Sequence, residues 1–220
     1  MIRKLLSKLK LIRFVESEKY KLLDKDSLFA QFHNSKTIFI HIPKTGGTSV
    51  FRSIYGNAVA EGHRSFSFYK LLFSDDFNDF FKFCFVRNPY DRLYSAYKFL
   101  QRGGNNTNDV ESFRIYMKDY SGFRDFVLNG LTENLLREVI HLVPQTNFIC
   151  DANGLVAMDF IGKFESIEED FLILSKKLDK DITLQHLNRN KKQSYLEVYD
   201  KDMKLKVKKL YKNDFKLLGY

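Results

Sequence analysis

Short apolar runs, which are typical of buried strands, alternate along this chain with longer stretches in which apolar residues recur every three or four positions. The apolar runs are residues 37–42, 83–87, 147–150, 158–162 and 181–187. The stretches with helical spacing are residues 50–55, 90–101, 109–129, 167–178 and 201–211. This alternation predicts a three-layer α/β fold, in which a mostly parallel central sheet is flanked by helices.

The first 35 residues carry a different pattern. Basic residues separate apolar ones at helical spacing, and the apolar positions are Ile2, Leu5, Leu6, Leu9 and Ile12. This spacing predicts a basic amphipathic helix. We therefore divide the chain into a basic helical extension, residues 1–35, and a main domain, residues 36–220. The helix either packs on the main domain or lies, through residues 1–15, on an anionic membrane surface.

The composition is that of one globular domain, with 44% hydrophobic and 29% charged residues. The net charge of +9 is concentrated at the two ends, because residues 1–22 carry +5, residues 189–220 carry +6 and the part between them carries −2. A nearly neutral body argues against nucleic acid as a partner and favours an anionic cofactor, an acidic polymer or a membrane surface. Cys84 and Cys150 lie in apolar runs, and no apolar stretch suits a membrane span or a signal peptide. We expect a cytoplasmic protein.

A glycine loop follows the first predicted strand and reads Pro43-Lys-Thr-Gly-Gly-Thr-Ser49. Its two glycines lack the Cβ atoms that would keep an anion away, and the amides at the start of the next helix point to the same place. The loop therefore predicts a phosphate site at the carboxyl end of the sheet. Because Lys44 precedes the glycines and no glycine opens the loop, the pattern of ordinary nucleoside triphosphatases is not matched.

A second junction between a strand and a helix reads Phe85-Val-Arg-Asn-Pro-Tyr-Asp-Arg-Leu-Tyr-Ser-Ala-Tyr97. With these two motifs, residues 37–220 resemble the sulfotransferases that use 3′-phosphoadenosine 5′-phosphosulfate (PAPS), and most closely their carbohydrate branch. The resemblance implies a P-loop-like fold and transfer of a sulfuryl group to a hydroxyl of a glycan or glycolipid precursor, with adenosine 3′,5′-bisphosphate (PAP) as the product. The cofactor-binding residues that it implies are Lys44, Thr45, Gly46, Gly47, Thr48, Ser49, Arg87, Ser95 and Arg189.

The arginine of the second motif has two interpretations. A guanidinium is a planar fork that can hold a phosphate through two hydrogen bonds, which suits Arg87 to the 3′-phosphate. The structural alternative is an ion pair with Asp91 or Glu165. Arg92 we expect to be a structural ion-pair partner.

Sulfuryl transfer needs a cation near the leaving phosphate and a base near the acceptor hydroxyl. Lys44 is the predicted cation and His63 the predicted base, since histidine is a competent base at neutral pH. Glu61 and His141 are alternative bases, His33 and His41 are interpreted as structural, and His186 stays undecided. We expect no metal requirement, because the transferred group carries less charge than a phosphoryl group. The alternative functions are an atypical kinase or nucleotide hydrolase, and a non-catalytic module that binds membranes or polymers.

Overall fold

A computed structural model of the chain describes residues 2–56, 58, 62–185 and 194–220. The three strands are β1 (Thr37–Ile40), β2 (Phe81–Val86) and β3 (Phe160–Lys163). The helices are α1 (Ile2–Glu18), α2 (Leu28–Ser35), α3 (Gly47–Tyr55), α4 (Phe66–Phe73), α5 (Pro89–Gln101), α6 (Thr107–Tyr116), α7 (Phe123–Asp125), α8 (Leu135–Glu138), α9 (Thr146–Ile149), α10 (Ile167–Lys177), α11 (Lys201–Leu210) and α12 (Lys212–Leu218). A π-helical turn, Phe126–Gly130, follows α7, and short 3₁₀ turns lie at Lys19–Leu22, Ser74–Asp79, Phe164–Ser166 and Tyr195–Glu197.

The sheet is parallel and has the order β1-β2-β3. Ile40 pairs with Cys84, and Val86 pairs with Lys163. The carboxyl ends of the three strands therefore meet at one edge of the sheet. Helices flank this sheet, which confirms the predicted α/β class. In parallel sheets of this kind the ligand site lies beyond the carboxyl ends of the strands.

The buried apolar residues form two clusters. The first buries the sheet against α1, α2, α3, α4, α9 and α10, and aromatic rings such as Phe39, Phe83 and Phe85 fill it. The second lies between α5, α11, α12 and the π-helical turn, and Leu93, Tyr97 and Phe126 are among its members. The first turn of α5, at the tip of β2, is therefore held between two packed cores rather than on a loose loop.

The prediction of a strand over residues 147–150 is wrong, because Thr146–Ile149 forms the short helix α9. The cause lies far away in the sequence. The carboxylate of Asp214, which is fully buried, accepts hydrogen bonds from the amides of Gln145 and Thr146 and from the Thr146 hydroxyl. These bonds satisfy amides that a helix start leaves without intrahelical partners. Local apolar pattern carries no information about such a contact.

Two further predicted elements differ from the structure. The helix expected over residues 109–129 is divided into α6, α7 and the π-helical turn, with Gly122 just before α7. Residues 181–185, the described part of a predicted strand, contain no strand. The N-terminal helix is present as α1, and its Phe14 ring lies 5.6 Å from the ring of Phe68 in α4. Packing of α1 on the main domain is thus one of the two arrangements that its pattern allowed. The boundary between residues 35 and 36 stays a prediction.

Candidate functional site

The glycine loop joins the tip of β1 to the start of α3. The Thr45 hydroxyl donates to the Ile42 carbonyl at 3.0 Å, which closes the turn, and Gly46 caps α3 with φ of 80°. The amide of Ser49 returns to the Gly46 carbonyl at 3.0 Å. The amides of Gly47 and Thr48 lie in the first helical turn, where the helix itself offers no acceptors and its dipole is positive. The loop therefore presents donors to an anion.

Glycine is required at position 47 by packing. A Cβ atom built on Gly47 would collide with the imidazole of His41, and one built on Gly46 would lie 2.7 Å from the Ile167 side chain. Gly46 also has the left-handed backbone that favours glycine. The loop can therefore take this path only because both residues lack a side chain, and His41 fills the space beside it.

Arg87 connects the tip of β2 to the glycine loop. Its Nη1 atom donates to the carbonyl oxygen of Lys44 at 3.0 Å, and its guanidinium lies 4.1 Å from the ring centre of Phe164. Nε and Nη2 bind Asp91 at 2.7 and 2.6 Å, and the arginine side chain is only 2% exposed. The ion pair with Asp91, one of the alternatives from the sequence, is thus the observed arrangement. A role for Arg87 toward phosphate stays a prediction.

The backbone of Arg87 is also fixed. Gln145, which is fully buried, accepts from the Arg87 amide at 2.9 Å and donates to the Arg87 carbonyl at 2.8 Å. Asp214 in turn fixes Gln145, because its carboxylate accepts a hydrogen bond from the Gln145 amide. The sequence pattern did not reveal Gln145 or Asp214, because single polar residues in apolar surroundings carry no spacing signal. Together they set the position of the strand end that faces the glycine loop.

One face of α5 lines the space between the two strand tips. Asp91, Ser95 and Phe99 are four residues apart, so they project from the same side of the helix. Asp91 binds Arg87, and the ammonium of Lys44 lies 3.7 Å from the ring centre of Phe99. Ser95 lies between these two contacts and is half-buried. The contacts of Arg87 and Lys44 thus lie at the two ends of this helix face, with Ser95 between them.

Three histidines lie beside Lys44. The ring of His63 is 4.5 Å from that of His41 and 5.8 Å from that of His141, and its Nδ1 atom is 2.8 Å from the His41 carbonyl oxygen. A carbonyl can only accept, so Nδ1 of His63 carries the hydrogen and Nε2 keeps its lone pair. Burial, supported by the nearby His141 and Lys44, lowers the pKa of His63 to about 4. His63 is therefore neutral at pH 7 and has the tautomer that a base requires.

His141 is held by a buried carboxylate. Its Nε2 atom lies 2.8 Å from Oδ1 of Asp109, and Asp109 also accepts from the amide of Asn105 at 2.9 Å. The ring of His141 packs edge-on against Phe99 at 4.9 Å. Burial lowers the pKa of His141 although Asp109 opposes the shift, and burial lowers the pKa of His41 further. His41, one of the two histidines interpreted as structural from the sequence, is thus part of the same cluster.

Among the described residues, Arg92 does not form the ion pair that the sequence predicted for it. Instead of pairing with a carboxylate, its buried guanidinium donates to the carbonyl oxygens of His141 and Val143 at 3.3 and 2.6 Å. It holds the segment that carries His141 and Gln145. His33, by contrast, lies at the surface, 3.6 Å from Asp76. Glu61, His186 and Arg189, with the basic segment around Arg189, lie outside the described residues.

The histidine cluster predicts a loss of stability in acid. His41, His63 and His141 bind a proton more weakly in the folded chain than in the unfolded chain. The unfolded state therefore binds more protons as the pH falls below about 6.5, and the free energy of unfolding decreases over this range. Urea unfolding between pH 7 and pH 5 measures the slope. His63→Asn should flatten it by up to about 1.4 kcal/mol per pH unit. A slope equal to that of the wild type would contradict the assignment.

The fold and the site together define a class of protein, namely a parallel α/β protein whose glycine loop, between a strand and a helix, presents amide donors suited to an anion. The model of the sulfotransferase family matches residues 27–220, and the chain belongs to this family. Membership assigns sulfuryl transfer in general. An uncharacterised protein of Archaeoglobus fulgidus is 29% identical over 102 residues, which are 46% of this chain and 70% of that protein. No solved structure matches the chain.

Proposed function

We propose that this sulfotransferase takes its sulfuryl group from PAPS and transfers it to an acceptor hydroxyl on a carbohydrate. The observation that carries the proposal is the contact at 3.0 Å between the Arg87 guanidinium and the Lys44 carbonyl oxygen. This contact joins the two motifs that the sequence analysis assigned to the two phosphates of one nucleotide. The acceptor class rests on the resemblance to the carbohydrate branch.

The residues at the strand tips fit a nucleotide with several negative charges. The loop offers the first amides of α3, the positive end of the helix and the ammonium of Lys44. Ser95 adds a hydroxyl from the facing helix. We infer that Lys44, Thr45, Gly46, Gly47, Thr48 and Ser49 hold the 5′-phosphosulfate end, and that Arg87 and Ser95 hold the 3′-phosphate end. Arg189 stays a predicted cofactor-binding residue.

The catalytic roles follow from the cluster around Lys44. When bound, PAPS supplies an activated sulfonate, whose bond from sulfur to the phosphate oxygen breaks as a new bond from sulfur to the acceptor oxygen forms. Lys44 stabilises the negative charge that the departing phosphate oxygen gains with the electron pair. His63 accepts the proton of the acceptor hydroxyl at Nε2, since Nδ1 is committed to the His41 carbonyl. No step in this scheme uses a metal ion.

Stabilisation by ligands tests the donor. In the presence of EDTA, PAP should raise the melting temperature of the protein, while ATP at the same concentration should not. An atypical kinase or hydrolase would instead be stabilised by ATP in a parallel experiment with magnesium and without EDTA. Stabilisation by neither nucleotide would favour a non-catalytic binding module. Mass spectrometry with PAPS and a panel of glycans, lipids and small alcohols then identifies the acceptor.

Substitutions of Arg87 and of Asp91 should change the affinity for PAP in different directions. Arg87→Lys keeps the charge but loses the planar fork, so PAP binding should weaken by about 1.5–3 kcal/mol. Asp91→Asn removes the carboxylate that competes for the guanidinium, so PAP binding should stay equal or become tighter. Calorimetric titration with PAP measures both. Weaker binding in Asp91→Asn and unchanged binding in Arg87→Lys would show that Arg87 serves only the fold.

A peripheral membrane contact through residues 1–15 is a separate part of the proposal. Leu6 and Leu9 are about half exposed on α1, and Lys8, Lys10 and Arg13 lie near them. No helix in the described ranges is long and apolar enough to cross a membrane. Sedimentation with vesicles rich in phosphatidylserine should recover the protein, and Leu6→Glu with Leu9→Glu should abolish recovery. Equal recovery of the double variant would remove the contact. The cytoplasmic location stays a prediction.

A further inference from the structure

His141 contains a polar atom that the proposed chemistry does not use. Its side chain is only 9% exposed, and Nδ1 is buried and has no hydrogen-bond partner among the described residues. Buried polar atoms are nearly always paired, because an unpaired one costs free energy. This atom lies in the ring that packs against both His63 and Phe99. The unpaired nitrogen therefore belongs to the histidine cluster beside Lys44 rather than to a distant surface.

The partners of the two histidines determine which nitrogens are acceptors. The carboxylate of Asp109 accepts, so Nε2 of His141 carries the hydrogen and Nδ1 keeps its lone pair. In His63 the assignment is reversed, since Nδ1 donates to the His41 carbonyl and Nε2 keeps its lone pair. Two imidazole rings whose centres are 5.8 Å apart thus each carry one unprotonated nitrogen. Besides burial, Lys44 is close enough to both rings to lower their pKa values.

We propose that His141 is a second acceptor-binding residue, which accepts a hydrogen bond from a hydroxyl adjacent to the one that is sulfated. The preferred acceptor then carries two neighbouring hydroxyls, as a sugar ring does. This inference rests on the proposed function and narrows its substrate class. Each unprotonated nitrogen can accept one hydrogen bond of about 2.8 Å, so the two neighbouring rings can serve two neighbouring hydroxyls of one molecule. A lone alcohol would leave the His141 nitrogen without a partner.

The neighbours of His141 support a site built for this purpose. Asp109 fixes the tautomer, Arg92 holds the His141 carbonyl at 3.3 Å, and Phe99 provides an apolar wall for the carbon face of a ring. Asp109 is itself anchored by the amide of Asn105. Asp109 and Arg92 are therefore positioning residues, while His141 makes the contact.

The experiment compares acceptors that differ by one hydroxyl. The probes are the methyl glycosides of glucose, galactose and mannose with their monodeoxy analogues. Binding to the full chain saturated with PAP is measured by saturation-transfer NMR, and transfer from PAPS is measured by mass spectrometry. For at least one glycoside, removal of the neighbouring hydroxyl should weaken binding about tenfold. The substitution His141→Phe should weaken binding of that parent glycoside about tenfold. The variant should bind the parent glycoside and its deoxy analogue with equal affinity.

Controls separate this inference from the proposed function. His33→Phe, which replaces a surface histidine, should preserve the preference for the parent glycoside. His141→Phe leaves the carboxylate of Asp109 without its partner; if that prevents folding, the double variant Asp109→Asn with His141→Phe replaces it in the experiment. Failure of PAP to bind the wild-type chain would overturn the proposed function itself. PAP binding without any preference for the parent glycosides, or a preference that persists in His141→Phe, would overturn only the second acceptor contact.

Discussion

Replacement of His63 by asparagine is expected to slow sulfuryl transfer by roughly 10²–10⁴-fold, the usual effect of losing a general base. Asparagine can still donate to the His41 carbonyl from its amide, so the hydrogen bond that holds the residue is kept. The nitrogen that receives the proton is lost. The measurement is kcat with saturating PAPS, together with calorimetric PAP affinity, which should change little.

The rate of His63→Asn can be compared with that of His141→Phe, which changes a second histidine of the same cluster. If the rate of His63→Asn equalled that of the wild type while His141→Phe lost turnover, His141 would be the base. The two histidines are 5.8 Å apart, so both are within reach of one acceptor. A retained rate in both variants would remove the histidine cluster from catalysis.

Replacement of Lys44 by methionine is expected to lower kcat by roughly 10²–10³-fold, because the charge on the departing phosphate oxygen loses its cation. Methionine has a similar length and has the same difficulty with the left-handed backbone at this position, where φ is 68°. The variant thus tests charge rather than backbone strain. Single-turnover rates with PAPS measure the loss.

Lys36 is the matched control for Lys44. It also has a left-handed backbone, with φ of 51°, and its ammonium also lies over an aromatic ring, 5.0 Å from the centre of Phe80. Lys36 caps the end of α2 and directly precedes β1. It therefore lies at the opposite end of β1 from the glycine loop. Lys36→Met should therefore leave the rate unchanged. A similar loss in both variants would point to a general effect of destabilisation.

Much of the fold could be predicted because its signals are local. The runs that became β1, β2 and β3 are apolar and short, and the glycine loop and the Asn88-Pro89 helix start follow two of them directly. Parallel pairing of neighbouring strands then brings their carboxyl ends together. This argument assigns Lys44, Arg87 and Ser95 to the same edge of the sheet. The bond from Arg87 to the Lys44 carbonyl agrees with it, and the binding roles of the three residues stay predictions.

The other site residues depend on contacts between distant parts of the chain. Asp109 and His141 are 32 residues apart, and Gln145 and Asp214 are 69 apart. Each pair is polar and buried, and only the folded chain shows that the members meet. The same contact explains why an apolar run became α9, since Asp214 offers its amides a better set of acceptors than a strand neighbour would.

The anchoring of the pocket by α12 has a consequence for biosynthesis. Asp214 fixes Gln145, and the Tyr220 hydroxyl donates at 3.0 Å to Glu165, whose other oxygen accepts from the amide of Asn88. Residues translated long after the glycine loop thus complete the strand tip that faces it. Competence for the proposed nucleotide should therefore arise late, only after residues 214 and 220 have left the exit tunnel of the ribosome.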